Sequence, residues 1–154
     1  MISKRGRTFI GFQIFIGMLL VLAGNQAGAQ ALFGPPVSYS TGNPNSDIVL
    51  SDFDGDSDLD LACTHLLADA VSILLNNGEG VLGTPYTFPA VNAAHRICAG
   101  DFNEDSYMDI AITDAVQSKI VVSLSNGDGT FGPMQEYAVQ SEPYSIEAFY
   151  LDAD

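Results

Sequence analysis

Short runs of apolar residues alternate with polar, glycine-rich segments along the chain from residue 47 onward. Most of the runs are rich in Val, Ile and Leu, and they lack the 3.6-residue period of an amphipathic helix. Such runs predict β-strands, because branched aliphatic side chains pack well on a pleated surface. The predicted strands are Asp47–Ser51, Leu59–Thr64, Val71–Asn76, Tyr86–Ala90, Lys119–Ser125 and Gln135–Val139.

The same pattern occurs twice, with a period of 49 residues. Asp52 matches Asp101, and the match runs from Ile48 and Ile97 through an Asn-Gly turn in each copy. A fixed period of this length indicates a repeat protein, and four strands in about 50 residues fit one blade of a β-propeller. A β-sandwich is the alternative, but it would not require repetition at this period. We therefore predict an all-β fold: a partial β-propeller of about two four-stranded antiparallel blades with flanking partial blades.

Partial copies of the unit flank the two complete ones. Phe33–Pro35 has the same sequence as Phe131–Pro133, and Asp152 and Asp154 match the first two alternating acidic positions of a third loop. We expect residues 30–154 to form an incomplete array of repeats. Because the last motif stops part-way, we also expect the chain to be a fragment or the product of a truncated reading frame.

Residues 1–29 carry the signals of a secretory leader. Three basic residues precede the apolar run Phe9–Ala23, and the small residues Ala27–Ala29 fit the A-x-A cleavage pattern. A membrane anchor is the alternative, but the run is short for a span. We predict cleavage after Ala29, with Ala31 as a second possible site. The protein is then secreted, with the periplasm or the cell surface as further destinations, and the mature form has no membrane span.

The charge of the mature chain is strongly negative. Removal of the leader leaves Arg96 and Lys119 against 19 acidic residues, a net charge near −17. A phosphate backbone demands the opposite sign, so nucleic acid is excluded as a partner. The apolar and aromatic content nevertheless indicates a packed protein rather than a disordered one. A cation is therefore needed to neutralise the acidic clusters.

Two acidic loops place oxygen donors on alternate positions. The stretches D-F-D-G-D-S-D-L-D and D-F-N-E-D-S-Y-M-D offer side chains at positions 1, 3, 5 and 9 and a backbone carbonyl at position 7. A donor set made only of oxygens favours Ca²⁺ over zinc or copper, and Mg²⁺ prefers fewer protein ligands. The predicted ligands are Asp52, Asp54, Asp56, the Asp58 carbonyl and Asp60; Asp101, Asn103, Asp105, the Tyr107 carbonyl and Asp109; and Asp152 and Asp154 of the third loop.

An EF-hand also contains a D-x-D-x-D sequence, but it does not fit. It requires glycine at position 6 and a bidentate glutamate at position 12. Here position 6 is Ser57 or Ser106, and position 12 is Cys63 or Ile112. No helical pattern flanks either loop, so the EF-hand is excluded.

The acidic loop, the strand after it and the turn N-G-x-G-x-[FL]-G together resemble the FG-GAP/VCBS repeat of integrin-like β-propellers. The resemblance covers nearly all of Phe33–Asp154. It implies that each loop joins the first two strands of a blade and binds Ca²⁺ through the positions named above. The family favours glycine at loop positions 4 and 6, where Glu104 and the two serines Ser57 and Ser106 stand here. We expect positive φ at these residues, at about 1 kcal/mol each, and a weakened affinity.

No arrangement of residues in the sequence indicates catalysis. His65 and His95 are single and lie outside any nucleophile motif, and we expect both in loops. Cys63 and Cys98 each lie in a β-like run. Export would permit a disulfide between them, and buried free thiols are equally compatible with the sequence.

Two functions remain open. The first is a secreted, non-catalytic module in which Ca²⁺ stabilises each blade and which acts in binding or adhesion, as integrin-like repeats imply. The second is the non-catalytic propeller portion of an extracellular polysaccharide-active hydrolase or lyase. The expected partners are an extracellular protein or glycan, further repeats of the parent chain, or a second copy of the chain.

Overall fold

The computed structural model describes residues 37–41 and 43–149. Within these residues the chain forms eight β-strands and no helix, which confirms the all-β prediction. All eight strands belong to a compact unit that begins at residue 41, and the four described residues of the preceding unit, residues 37–40, contain no strand. The strands are β1 Asp47–Ser51, β2 Asp60–His65, β3 Ala70–Leu74, β4 Tyr86–Pro89, β5 Ala94–Gly100, β6 Asp109–Asp114, β7 Lys119–Ser123 and β8 Gln135–Ala138.

The strands form two four-stranded antiparallel sheets, sheet 1 (β1–β4) and sheet 2 (β5–β8). In each sheet the strands pair in sequence order, so each sheet is a meander with the topology of one propeller blade. The repeat also fixes the register. Ser51 pairs with Asp60 in sheet 1, and Gly100 pairs with Asp109 in sheet 2. The predicted pair of blades is therefore confirmed.

Most predicted strand ends agree with the structure to within one residue. The largest difference in sheet 1 is at β3, which ends at Leu74 rather than at Asn76. The Asn76 N–H donates to the Asp60 carboxylate over 2.8 Å, where a continued strand would have it donate to a neighbouring strand. In sheet 2, a register shift between Ala94 and Ile97 interrupts the pairing of β5 with β6.

The core lies between the two sheets. The strands β2 and β6 are buried along their whole length, whereas β8 is exposed throughout. Three aromatic rings complete the apolar contact: Phe131 of sheet 2 lies 5.7 Å from Phe53 and 5.9 Å from Phe88, measured between ring centroids. At the other end of β1, the Ile97 N–H donates to Asp47 over 3.2 Å. The sheets are thus joined by apolar and polar contacts.

The structure tests the expectations about the two histidines and the two cysteines. The prediction that His65 and His95 lie in loops is wrong: His65 is the last residue of β2 and is fully buried, and His95 lies in β5. The two cysteines are free and buried. Burial raises the pKa of the Cys63 thiol to about 11 and raises the pKa of Cys98 as well.

Other predicted segments lie outside the described residues. These are the leader, residues 1–29, the partial copy at Phe33–Pro35, and the third loop that begins at Asp152. Residues 142–149, which precede that loop, are described and contain no strand. No helix in the described part of the chain is long and apolar enough to cross a membrane.

Candidate metal centre

Each acidic loop joins the first two strands of its sheet. Loop 1 (residues 52–59) connects β1 to β2, and loop 2 (residues 101–108) connects β5 to β6. The pairs Ser51–Asp60 and Gly100–Asp109 close the two hairpins. The sheet therefore holds the residue at position 9, which is the first residue of the second strand, close to the residue at position 1.

Loop 1 gathers three carboxylates at one point. One oxygen each from Asp52, Asp54 and Asp60 lies within 4.8 Å of the other two. Ca²⁺ binds its ligands at 2.3–2.6 Å, so two oxygens on opposite sides of the ion stand about 5 Å apart. The separation in loop 1 fits a shell of this size, and all three donors are of the type that Ca²⁺ prefers.

The electrostatics of loop 1 are unfavourable for three anions. Burial raises the pKa of Asp54, and the charges of Asp60, Asp56 and Asp52 raise it further, while a hydrogen bond from the Asp56 N–H opposes them. Burial also raises the pKa of Asp60, against the bonds that it accepts from backbone N–H groups. A cation at this point would relieve both the desolvation and the repulsion.

The first aspartate organises the backbone of each loop. The Asp52 carboxylate accepts the N–H groups of Gly55 at 2.7 Å and Ser57 at 2.9 Å. The Asp101 carboxylate accepts those of Asp105 at 3.1 Å and Ser106 at 2.8 Å. These bonds curl the chain so that alternate side chains turn to the same side.

The backbone at positions 4 and 6 is left-handed, as expected. Gly55 has φ of 80° and Ser57 of 73°, and in loop 2 Glu104 has 63° and Ser106 has 74°. A residue with a Cβ pays about 1–2 kcal/mol in this region. The three non-glycine residues therefore store strain that glycine would avoid.

The aspartate at position 9 has a second role that the sequence did not reveal. In sheet 1, Asp60 accepts the N–H of Phe53 on one oxygen and the N–H of Asn76 on the other, both at 2.8 Å. In sheet 2, Asp109 accepts the N–H of Phe102 at 2.9 Å and that of Ser125 at 2.8 Å. Each carboxylate thus ties its loop to the end of the third strand.

The remaining predicted ligands of loop 1 are less closely grouped. Asp56 is exposed and lies outside the group of three, and its carboxylate accepts the Asp58 N–H at 2.9 Å. The Asp58 side chain lies over the turn of the same sheet, so a Cβ built on Gly78 would be 2.8 Å from its Oδ2 atom. Asp58 can therefore offer only its carbonyl to an ion.

Loop 2 is more open than loop 1. Among the described residues, no second group of three carboxylates converges as in loop 1, because position 3 is Asn103. The Asn103 amide donates to Asp105 at 2.8 Å. The ring of Tyr107 packs on the turn of sheet 2, where a Cβ on Gly127 would be 2.5 Å from a ring carbon. Asp152 and Asp154 lie outside the described residues.

Comparison with known protein families matches a segment that includes loop 1. Residues 52–112 match the family model described as FG-GAP-like repeat. This segment is similar to an FG-GAP-like repeat. The match begins at the first residue of loop 1 and ends within β6. No curated protein and no solved structure gives a significant match.

Loop 1 also contacts the turn of sheet 2, which lies beyond the matched segment. The Gly129 N–H of sheet 2 donates to the Phe53 carbonyl in loop 1 over 3.0 Å. The Phe53 ring meets Phe131 edge to face, with an interplanar angle of 67°. This contact between loop 1 and the Asn-Gly turn of sheet 2 was not predicted from the sequence, because the sequence does not show which turn faces which loop.

Proposed function

We propose that both acidic loops bind Ca²⁺ and that the ion stabilises the sheets of a secreted, non-catalytic binding or adhesion module. The observation that carries the proposal is the convergence of Asp52, Asp54 and Asp60 within 4.8 Å of one another. The raised pKa values of Asp54 and Asp60 support it, because they arise from burial and from neighbouring carboxylates, and a bound cation would offset both.

In loop 1 the ion would be held by Asp52, Asp54 and Asp60, with Asp56 and the Asp58 carbonyl able to close around it. In loop 2 the corresponding residues are Asp101, Asn103, Asp105, Asp109 and the Tyr107 carbonyl. A bound Ca²⁺ supplies the positive charge that offsets the carboxylate repulsion. Since the ion binds the folded loops only, its binding free energy adds to the free energy of unfolding.

The partner that we propose is an extracellular protein or a glycan. Tyr86 and Tyr137 support glycan contact, since both are exposed on the outermost strands, β4 and β8, and aromatic faces stack on sugar rings. The same observation favours the second candidate function, the non-catalytic propeller portion of an extracellular polysaccharide-active hydrolase or lyase. Export to the cell exterior is part of both proposals.

The calcium proposal is tested by thermal unfolding. Adding Ca²⁺ to the metal-free protein should raise its melting temperature, and Asp54→Ala combined with Asp105→Ala should remove most of that rise. The matched control removes the same number of charges elsewhere, with Glu79→Ala combined with Glu142→Ala, and should keep the full response. An unchanged melting temperature after treatment with EDTA would refute the proposal.

A further inference from the structure

The two acidic loops differ in how the residue at position 2 is held. In both loops the phenylalanine N–H donates to the position-9 aspartate, at 2.8 Å for Phe53 and 2.9 Å for Phe102. The Phe53 carbonyl also accepts the Gly129 N–H. No backbone N–H of the described residues reaches the Phe102 carbonyl. Loop 1 is thus fixed on both sides of position 2, and loop 2 on one side.

The side chains show the same difference. Phe53 is 1% exposed, whereas Phe102 is 43% exposed. The turn of sheet 2 covers Phe53 through the ring of Phe131 and approaches so closely that a Cβ on Gly129 would be 2.8 Å from Leu75. We call Gly129 and Phe131 the clamp.

We propose that the clamp sets the calcium affinity of loop 1, so that each FG-GAP-like repeat depends on the turn of the next repeat for its full affinity. The inference rests on the proposed function. Phe53 lies between Asp52 and Asp54, and a backbone fixed on both sides loses less freedom when the ion binds. Binding linkage is reciprocal, so Ca²⁺ in loop 1 strengthens the docking of the sheet 2 turn by the same factor.

The clamp can be weakened without touching a ligand. In an Asp105→Ala background, which removes one ligand of loop 2, Gly129→Ala should reduce the affinity of loop 1 for Ca²⁺ about 3- to 10-fold in a calorimetric titration, the worth of one hydrogen bond. The matched control is Gly80→Ala in the turn of sheet 1. Gly80 and Gly129 share a φ of 79°, so both substitutions add the same backbone strain. Gly80→Ala should leave the affinity within about 2-fold of the background.

A second variant covers the case in which Gly129→Ala fails to fold. Phe131→Leu introduces the residue that sheet 1 has at the equivalent position, Leu82, and removes the aromatic contacts with Phe53 and Phe88 while keeping an apolar side chain. Phe131→Leu should also lower the affinity of loop 1 for Ca²⁺. Conversely, Ca²⁺ should slow hydrogen exchange of the Gly129 amide and leave the Gly80 amide unchanged.

The outcomes separate this inference from the proposed function. If the unaltered chain binds no Ca²⁺, the proposed function fails and the clamp fails with it. If loop 1 binds Ca²⁺ equally well in the Gly129→Ala and Gly80→Ala proteins, or in the Phe131→Leu protein and its background, only the clamp is refuted. If Ca²⁺ slows hydrogen exchange of the Gly80 and Gly129 amides equally, the clamp is refuted as well.

Discussion

The position-9 aspartates combine a candidate ligand with a structural anchor. Asp60 and Asp109 are fully buried, and each accepts two backbone N–H groups, one from its loop and one from the second residue after its third strand. A carboxylate oxygen has a second lone pair, so these bonds leave room for an ion. The hairpin geometry therefore needs this residue even before an ion arrives.

This anchor can be separated from ion binding in sheet 2. In metal-free protein, Asp109→Ala should lower the free energy of unfolding by about 2–4 kcal/mol, because it leaves the N–H groups of Phe102 and Ser125 without their acceptor. Asp105→Ala, at an exposed loop position, should cost less than about 1 kcal/mol. Urea denaturation in EDTA measures both. Equal losses for the two variants would contradict the anchoring role.

Residue-scale prediction from the sequence succeeded where the information is local. The positive φ at Ser57, Glu104 and Ser106 followed from the resemblance to the repeat family, which favours glycine at these loop positions. The second role of Asp60 did not, because its acceptor function involves the backbone of Asn76, 16 residues away. A backbone N–H has no sequence signature, so only the folded hairpin shows where it points.

At the scale of elements, the apolar runs predicted the strands well. Four-strand units, their order and most of their ends agree with the structure. The errors occur where a side chain replaces the sheet ladder, as Asp60 does at the end of β3 and Asp109 does at the end of β7. His65 was misplaced because a polar residue at a strand end resembles a loop until its cross-strand partners are known.

Those partners form a polar ladder across sheet 1. The His65 Nε2 atom lies 2.8 Å from the Ser72 hydroxyl, which lies 2.6 Å from the Thr87 hydroxyl. One residue from each of β2, β3 and β4 is thereby joined. Burial lowers the pKa of His65, partly offset by the backbone carbonyls of Pro44 and Asn43.

The ladder predicts a pH dependence of the free energy of unfolding. A lowered pKa in the folded state means that the unfolded chain binds the proton more tightly. The stability that neutral His65 supports is therefore present above its ordinary pKa of 6.5 and is lost as the pH falls through the lower folded value.

Urea denaturation in EDTA from pH 7.5 to 5 should show this loss in the unaltered protein and less of it in His65→Gln. The acidic loops titrate in both proteins, so their contribution cancels in the comparison. Parallel pH profiles for the two proteins would contradict the assignment to His65.

At the scale of the whole molecule, no third sheet of the described residues covers sheet 2 as sheet 2 covers sheet 1. Sheet 2 buries Phe53, and the equivalent Phe102 is almost half exposed. A closed propeller takes about 4–8 blades, and the described residues form two. Repeat units bury their faces against neighbours, so an uncovered unit presents apolar surface.

We expect the chain, expressed alone with Ca²⁺, to self-associate. Light scattering should give a mass that increases with protein concentration, and Phe102→Ser should reduce the association. Tyr137→Ser, which removes an exposed aromatic ring on β8, is the control and should leave it unchanged. A monodisperse monomer with a sharp unfolding transition at high temperature would contradict this expectation.

Because Gly129 contacts Phe53, the two parts of this contact are synthesised at different times. A ribosome makes the chain from the amino end, so the ligands of loop 1 are complete at Asp60, roughly 70 residues before Phe131 is added. At 5–20 residues per second the delay is on the order of 4–14 s. During that interval, an ion bound in loop 1 would be held without the clamp. In a longer array of such repeats, each loop would gain its clamp only after the following repeat had been synthesised.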